Sequence, residues 1–337
     1  MSSLRGITVA FVAARERVRH LRKRRPRPKI ELCDRDIVEA LWRLKAKVEI
    51  IGYRERVEDV IAAIRKISPD VIFNQVLPTN ELEHCFAGAL EMLELPICGA
   101  RSSALALTGN KSLALQLLTS AGLPVPATVT VRAVEGVRDL PLRPPIIVKP
   151  SSSGSSMGIN MASVAWRRTA LERAVRKILD KIDDVALCQE FIAGREFKVG
   201  VVVESPGRGR LAGIVEWLFP TAPPGLGFKS EGVLMNRRWR NKHSRVIAAR
   251  LSRVQETQLE SLALKSTAVL GIDGYASMDV RMDSVGRFWI VEVNGNPALS
   301  RRPPVWARPD FDENIACIVR AAMGSMTAAM KRRLRSA

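Results

Sequence analysis

The sequence predicts an α/β protein, α+β in its later part, with three units over residues 1–101, 102–187 and 188–337. Three observations predict it. The first hundred residues alternate apolar strand-like runs with amphipathic stretches, the pattern of a parallel sheet covered by helices. A loop of Ser and Gly at 151–158 sits between short apolar strands, and a hairpin pattern at 275–297, YASMDVRMDSVGRFWIVEVNGNP, lies near the end of the chain.

In the first unit, residues 7–12, 48–52 and 71–74 read as strands and 36–46 and 57–67 as helices between them. In such sheets ligands sit beyond the carboxyl ends of the strands, which makes the loop after Asn74 a candidate substrate wall. A helix over 84–93 and a short strand over 96–99 close this unit. The second opens with 102–108 and the amphipathic helix 110–121, ended by Gly122 and Pro124. Strands follow at 125–131 and, beyond a Pro-rich connection, at 145–150. The Ser/Gly loop then leads to a partner strand at 159–161 and a helix over 165–181. The third unit opens with a strand at 186–191 and ends with the hairpin, turned at Gly286, and a terminal helix over 314–331.

The net charge of +19 concentrates in residues 15–29, 237–250 and 331–335. Such charge admits nucleic acid, membrane surfaces and anionic small molecules such as nucleotides as partners. No aromatic platform accompanies the 15–29 run, which argues against base-specific nucleic-acid recognition. The five cysteines are scattered without CxxC spacing, so neither zinc nor a disulfide framework is indicated and a reducing cytoplasm fits. Residues 7–14 are too short and too closely followed by charge for a signal core. No apolar run approaches the roughly 20 residues of a membrane span.

Strand alternation places Ser277, Asp279 and Arg281 on one face of the first hairpin strand, and Ile290, Glu292 and Asn294 on one face of the second. Asp279, Glu292 and Asn294 thereby offer oxygen ligands from neighbouring strands. That donor set suits Mg²⁺, which takes few protein oxygens and completes its octahedron with water and phosphate. The Ser/Gly loop is built to approach phosphates, because small residues let backbone N–H groups turn inward and serine hydroxyls add donors. It lacks the GK[ST] of a Walker A loop. Lys111 at a helix start and Lys149 at a strand end can hold phosphates as point charges. Gln189, Glu190, Phe191 and Ile192, followed by 194–197, read as strand, turn and strand. Such an edge can take an adenine base, with Glu196 accepting from ribose hydroxyls.

Taken in order, these residues resemble the ATP-grasp superfamily, and within it the D-alanine:D-alanine ligases. The matching pieces are Phe73-Asn74, LELPICG at 93–99, Asn110-Lys111, AGLPVP at 121–126, VKPSSSGSSMGI at 148–159, QEFIAGREFKVGV at 189–201, and Asp279 with EVNGNP at 292–297. The resemblance spans nearly the whole chain and is weakest before Val71. It implies that the two later units clasp ATP, and that a carboxylate is phosphorylated before an amine displaces phosphate. It further implies phosphate-holding roles for Lys111 and Lys149 and places Ser155 and Ser156 in a phosphate-covering loop. Gln189, Glu190, Phe191, Ile192 and Glu196 would line the adenosine site. Asp279, Glu292 and Asn294 would bind two Mg²⁺ ions, with Mn²⁺ an alternative, and Lys229 would ride on a mobile Gly/Pro-rich lid at 223–232. Small amino-acid-like substrates, a homodimer, a cytoplasmic location and no membrane association are implied as well.

The departures cluster where substrates would bind. The family's His-Gly after the Phe-Asn strand is Leu77-Pro78, its following acid falls on Leu82, and its early glycine-rich motif with a glutamate is not recognisable at 13–17. The arginine two positions before the first metal aspartate is Ser277, the carboxylate-binding serine falls on Pro303, and the lid tyrosine is Ser230. An unpaired buried anion costs several kcal/mol, so an ordinary D-alanine acceptor is disfavoured, and Arg281, Arg301 and Arg302 are the candidates to replace the lost charge for a changed substrate. The expectation is an ATP-dependent carboxylate–amine ligase with changed substrates. The alternatives are a D-alanine:D-alanine ligase with a rebuilt acceptor pocket, another ATP-grasp chemistry, and a nucleotide-binding regulatory or RNA-binding protein without turnover.

Overall fold

The computed structural model describes residues 3–14, 31–76, 82–152, 156–182, 184–302 and 304–325. The first four strands are β1 (Thr8–Ala14), β2 (Lys47–Tyr53), β3 (Val71–Gln75) and β4 (Ile97–Cys98), separated by helices α1 (Glu31–Arg43), α2 (Val57–Ile67) and α3 (Glu83–Glu91). They form a parallel sheet in the order β2-β1-β3-β4, as the alternation predicted. The core of β1, Val9 to Ala13, is buried throughout because helices cover both faces of the sheet. On one face Val60 and Ile64 of α2 pack against Ala10, Val12 and Ile72. The other face is covered by α1 and by the last described helix, α10 (Phe311–Gly324), so the two ends of the chain share a core.

The second sheet is antiparallel, in the order β5-β8-β6-β7, from β5 (Thr128–Val131), β6 (Ile146–Pro150), β7 (Val164–Ala165) and β8 (Ala186–Glu190). Helix α6 (Arg168–Lys181) buries Leu171, Val175 and Ile178 against it. The partner strand expected at 159–161 is instead a single 3₁₀ turn at Met161–Ser163, and Val164–Ala165 pairs with β6. Asn160 caps that turn, accepting from the Ala162 amide while Ser163 accepts from Asn160, so the backbone is satisfied locally rather than by a ladder.

The third sheet is antiparallel, in the order β11-β10-β9-β12-β13. Its strands are β9 (Arg195–Ser205), β10 (Arg208–Leu218), β11 (Arg245–Ala248), β12 (Gly274–Met282) and β13 (Phe288–Asn294). Helices α7 (Glu231–Met235) and α8 (Arg237–His243) precede β11, and α9 (Arg253–Leu270) packs across the sheet. A capping box of Ser252 and Gln255 starts α9, and Gly271 in the left-handed region ends it.

Packing distributes the segments beside the inner boundaries among the sheets. Helices α4 (Ser102–Gly109) and α5 (Lys111–Ser120) bury Leu105, Leu115 and Leu118 in the core of the third sheet. The boundary at 187/188 cuts through β8, which hydrogen-bonds into the second sheet. The expected strand–turn–strand at 189–197 is therefore a crossing between sheets, from β8 in one to β9 in the other. Among the described residues no helix is long and apolar enough to cross a membrane.

Candidate active site

The crossing at 191–194 leaves a cleft between the second and third sheets. One wall comes from the central sheet: Ile147, Lys149 and Ile159, with Ser156 from the Ser/Gly loop. Gln189, Glu190, Phe191, Ile192 and Glu196 form the back. Asp279, Val280, Arg281, Val291 and Glu292 form the opposite wall, and Phe228 and Lys229 close it. Ser155, Leu77, Pro78 and Pro303 lie outside the described residues.

The antiparallel register sets Asp279 opposite Glu292 and Ser277 opposite Asn294. A bulge then inserts Val291, because Val280 pairs with Ile290. One extra residue reverses the alternation. Ile290 consequently turns into the apolar core with Val280 and Met278, not onto the face of Glu292 as strict alternation predicted.

Cations converge on the two carboxylates. Lys229 Nζ lies 2.5 Å from Asp279 Oδ2, Lys198 Nζ 3.7 Å from Asp279 Oδ1, and Lys111 Nζ 3.7 Å from Glu292 Oε1. Lys149 Nζ donates to Gln189 Oε1 at 2.8 Å. Burial alone would raise the Asp279 carboxyl, but the ammoniums of Lys198 and Lys229 outweigh it and hold the group down to about 2. Burial would lower Lys229, yet Asp279, Glu196 and Glu292 together raise it. Lys149 has less compensation: burial brings it down to about 8, with Glu292 opposing and Lys111 reinforcing the shift. Lys198 was missed by the motif reading. Its signal was alternation, because Glu196 and Lys198 share one face of β9.

The donors available to a metal are two carboxylates and an amide oxygen. Among the described residues no group of three His, Cys, Asp or Glu forms a self-sufficient cluster. An incomplete all-oxygen set fits a hard cation that keeps positions for phosphate and water. Asn294 is exposed, and its Oδ1 accepts from the Asn296 amide at 2.9 Å.

The family model for the D-ala D-ala ligase C-terminus matches residues 117–308, the span that carries the cleft. The chain belongs to this family. A D-alanine–D-alanine ligase of Rhizobium meliloti (strain 1021) is 29% identical over 262 residues, covering 75% of this chain and 80% of the relative. One from Marinomonas sp. (strain MWYL1) is 28% identical over 249 residues, 72% of each. Among solved structures, the D-alanine–D-alanine ligase of Bacillus anthracis complexed with ATP shares the fold with a TM-score of 0.69 at 14% identity, over 97% of this chain and 100% of that one. The VanG D-Ala:D-Ser ligase of Enterococcus faecalis gives 0.70 at 17%, over 94% and 99%.

This ligase-family member departs from the sequence expectations at its arginines. Arg281 is 5% exposed, and all five of its N–H groups are engaged by Glu196 and by main-chain carbonyls. It is not available to an incoming carboxylate. Arg301 pairs with Asp312 and lies over the Phe311 ring, while Arg302 is exposed on the surface. Ser277 is 2% exposed, so the lost arginine leaves no opening for a replacement cation there.

A polar chain that the motifs did not reveal runs beside the Asn294 loop. Gln75 donates to the Tyr275 hydroxyl at 2.6 Å, Tyr275 donates to Asn296 Oδ1 at 2.6 Å, and Asn296 Nδ2 donates to Glu83 Oε1 at 2.8 Å. Burial pushes the Glu83 carboxyl up, against the bond from Asn296. The chain ties β3 and the start of α3 to the loop after β13.

Proposed function

We propose that the protein uses ATP to activate a small amino-acid-like carboxylate and joins it to an amine other than an ordinary D-alanine acceptor. As a family member the chain is an ATP-dependent ligase of the D-alanine–D-alanine type. The observation that carries the reading is the charge balance of the cleft. Lys111, Lys149, Lys198 and Lys229 face two carboxylates, Asp279 and Glu292, while Glu196 is already matched by Arg281. With Arg281 set against Glu196 and the exposed Glu190 at the back of the cleft included, four ammoniums face three carboxylates, and the surplus gathers where Lys111, Lys149, Lys198 and Lys229 meet, a place that suits a polyphosphate. The apolar side chains of Ile147, Phe191, Ile192, Phe228 and Val280 line the same cleft and suit a base.

On this reading Lys111 and Lys149 hold phosphates, Ser156 covers them, and Glu190, Phe191, Ile192 and Glu196 surround the nucleoside. Gln189 positions Lys149 through their hydrogen bond. Asp279, Glu292 and Asn294 would hold Mg²⁺, which when bound neutralises charge on the transferring γ-phosphate. Lys229 turns from Asp279 toward the phosphoryl group. The segment that carries it reaches the central unit, since the Glu231 amide donates to Ile159 O and the Gly158 amide to Glu231 Oε2. That contact excludes water, which would otherwise hydrolyse the activated carboxylate.

The test is ADP release from Mg²⁺-ATP by the purified protein against a panel of D- and L-amino acids and small amines, with products identified by mass spectrometry and Glu292→Gln as the control. Turnover that requires two partners and yields their condensation product supports the proposal. Turnover with one partner points to cyclisation or self-condensation, and a requirement for D-alanine as acceptor overturns the substrate part.

A further inference from the structure

We infer that Arg281 is a positioning residue: it latches the base of the glycine-rich segment 223–229 onto the crossing between the two sheets and so sets Lys229 and Glu196 around the nucleotide. The inference rests on reading the cleft as a nucleotide site. Three stretches of chain meet at this guanidinium. Arg281 Nε donates to Ile192 O at 2.5 Å and one Nη to Gly194 O at 3.0 Å, both on the crossing. The same Nη donates to Gly225 O at 3.0 Å and the other to Gly227 O at 3.0 Å, both on the glycine-rich segment. The fifth donor goes to Glu196 Oε2 at 2.9 Å, and that oxygen also accepts from the Lys229 amide at 3.2 Å. The guanidinium lies over the Phe191 ring at 4.9 Å.

A planar fork of five donors is what such a junction requires. It bridges four carbonyls and a carboxylate at fixed angles, which neither a lysine nor an apolar side chain reproduces. The junction leaves no room for a Cβ at its glycines. A Cβ on Gly194 would stand 1.9 Å from Met282 O, and one on Gly227 would stand 2.3 Å from the Phe219 side chain. Gly194 also donates directly to Gly225 O at 2.8 Å. Removing the arginine leaves carbonyls on two segments without partners, and the segment that carries Lys229 loses its anchor two residues from that lysine.

The experiment compares wild type with Arg281→Met and Arg281→Lys in the full chain. Steady-state kinetics, affinity for a fluorescent ATP analogue, proteolysis of segment 219–236 and thermal melting are measured for each. A latch predicts that both variants, still folded by melting, raise KM for ATP roughly tenfold while KM for the acid substrate stays within about twofold. It also predicts faster cleavage of 219–236 and a larger share of ADP released without condensed product. Retention of wild-type ATP affinity and protease resistance by Arg281→Met overturns it. So does the opposite split, in which KM rises for an amino-acid substrate alone and Arg281→Lys restores it, because that pattern marks an anion receptor. If no partner stimulates ADP release even in wild type, the ligase reading fails, and the analogue affinity and proteolysis still decide the latch.

Discussion

Lys229 and Asp279 meet in the cleft, Nζ to Oδ2 at 2.5 Å, between the glycine-rich segment and the hairpin strand β12. On the proposed reading, nucleotide and metal would draw Lys229 away from Asp279, and the carboxylates around it keep the lysine charged. Lys229→Met is expected to lower kcat about a hundredfold, the usual scale for losing one group aimed at developing charge. Steady-state assays with saturating Mg²⁺-ATP check this, and kcat within about threefold of wild type would exclude the role.

Lys149 gives the cleft a pH signature. Its folded value of about 8 lies below the ordinary 10.5, so between them the unfolded chain holds a proton the folded chain has released. Its desolvation penalty is present in full below the folded value and fades as pH rises from there toward 10.5. A bound polyphosphate restores the charge. Calorimetry of ATP binding near about pH 8.5, in buffers of different ionisation enthalpy, is expected to show proton uptake. Lys149→Arg should abolish the uptake, and an unchanged uptake in that variant would assign it elsewhere.

The Tyr275 hydroxyl joins Gln75 to Asn296 in the buried interior. Tyr275→Phe preserves the ring packing against Phe73 and Trp306 but leaves Asn296 Oδ1 without its donor. The expected cost is about 1–3 kcal/mol, measured by urea unfolding. A midpoint unchanged from wild type would show that the chain contributes nothing to stability.

Gly194 and Gly286 separate two reasons for glycine. Both have positive φ, +146° and +85°, but a Cβ at Gly194 would strike Met282 O whereas one at Gly286 meets nothing within 4 Å. Gly286→Ala is expected to cost about 1 kcal/mol, and Gly194→Ala more than about 3 kcal/mol. Equal melting temperatures for the two variants would refute the distinction.

Much of this was legible in the residues. The strand–helix alternation of the first unit follows from periodicities of 3.6 and 2, which are local properties of the chain, whereas Asp279 stands directly opposite Glu292 only because a bulge shifts the register by one residue. Helix α2 matches its expected bounds, 57–67, because an amphipathic face and flanking turns delimit it. Other features were not legible. The strand at 159–161 failed because Asn160 and Ser163 satisfy the backbone without a partner. Lys198 carries no motif, and its meaning appears only where β9 lies against β12 in the register Lys198–Asp279.

By itself, the sequence pointed to the family through its ordered motifs, and it determined the strand–helix alternation of the first unit and the residue types of the cleft, since motif, spacing and alternation are read along one segment at a time. The tertiary structure decided what each charge does. The five donors on Arg281 are used up by four carbonyls and the Glu196 carboxylate, 54 to 89 positions away in sequence, so a residue that read as an anion receptor became a latch. Helices that read as central packed onto the third sheet, and a crossing that read as a turn became the seam where the cleft opens. Burial and pairing across sheets depend on which distant segments meet, and that is settled only when the whole core closes.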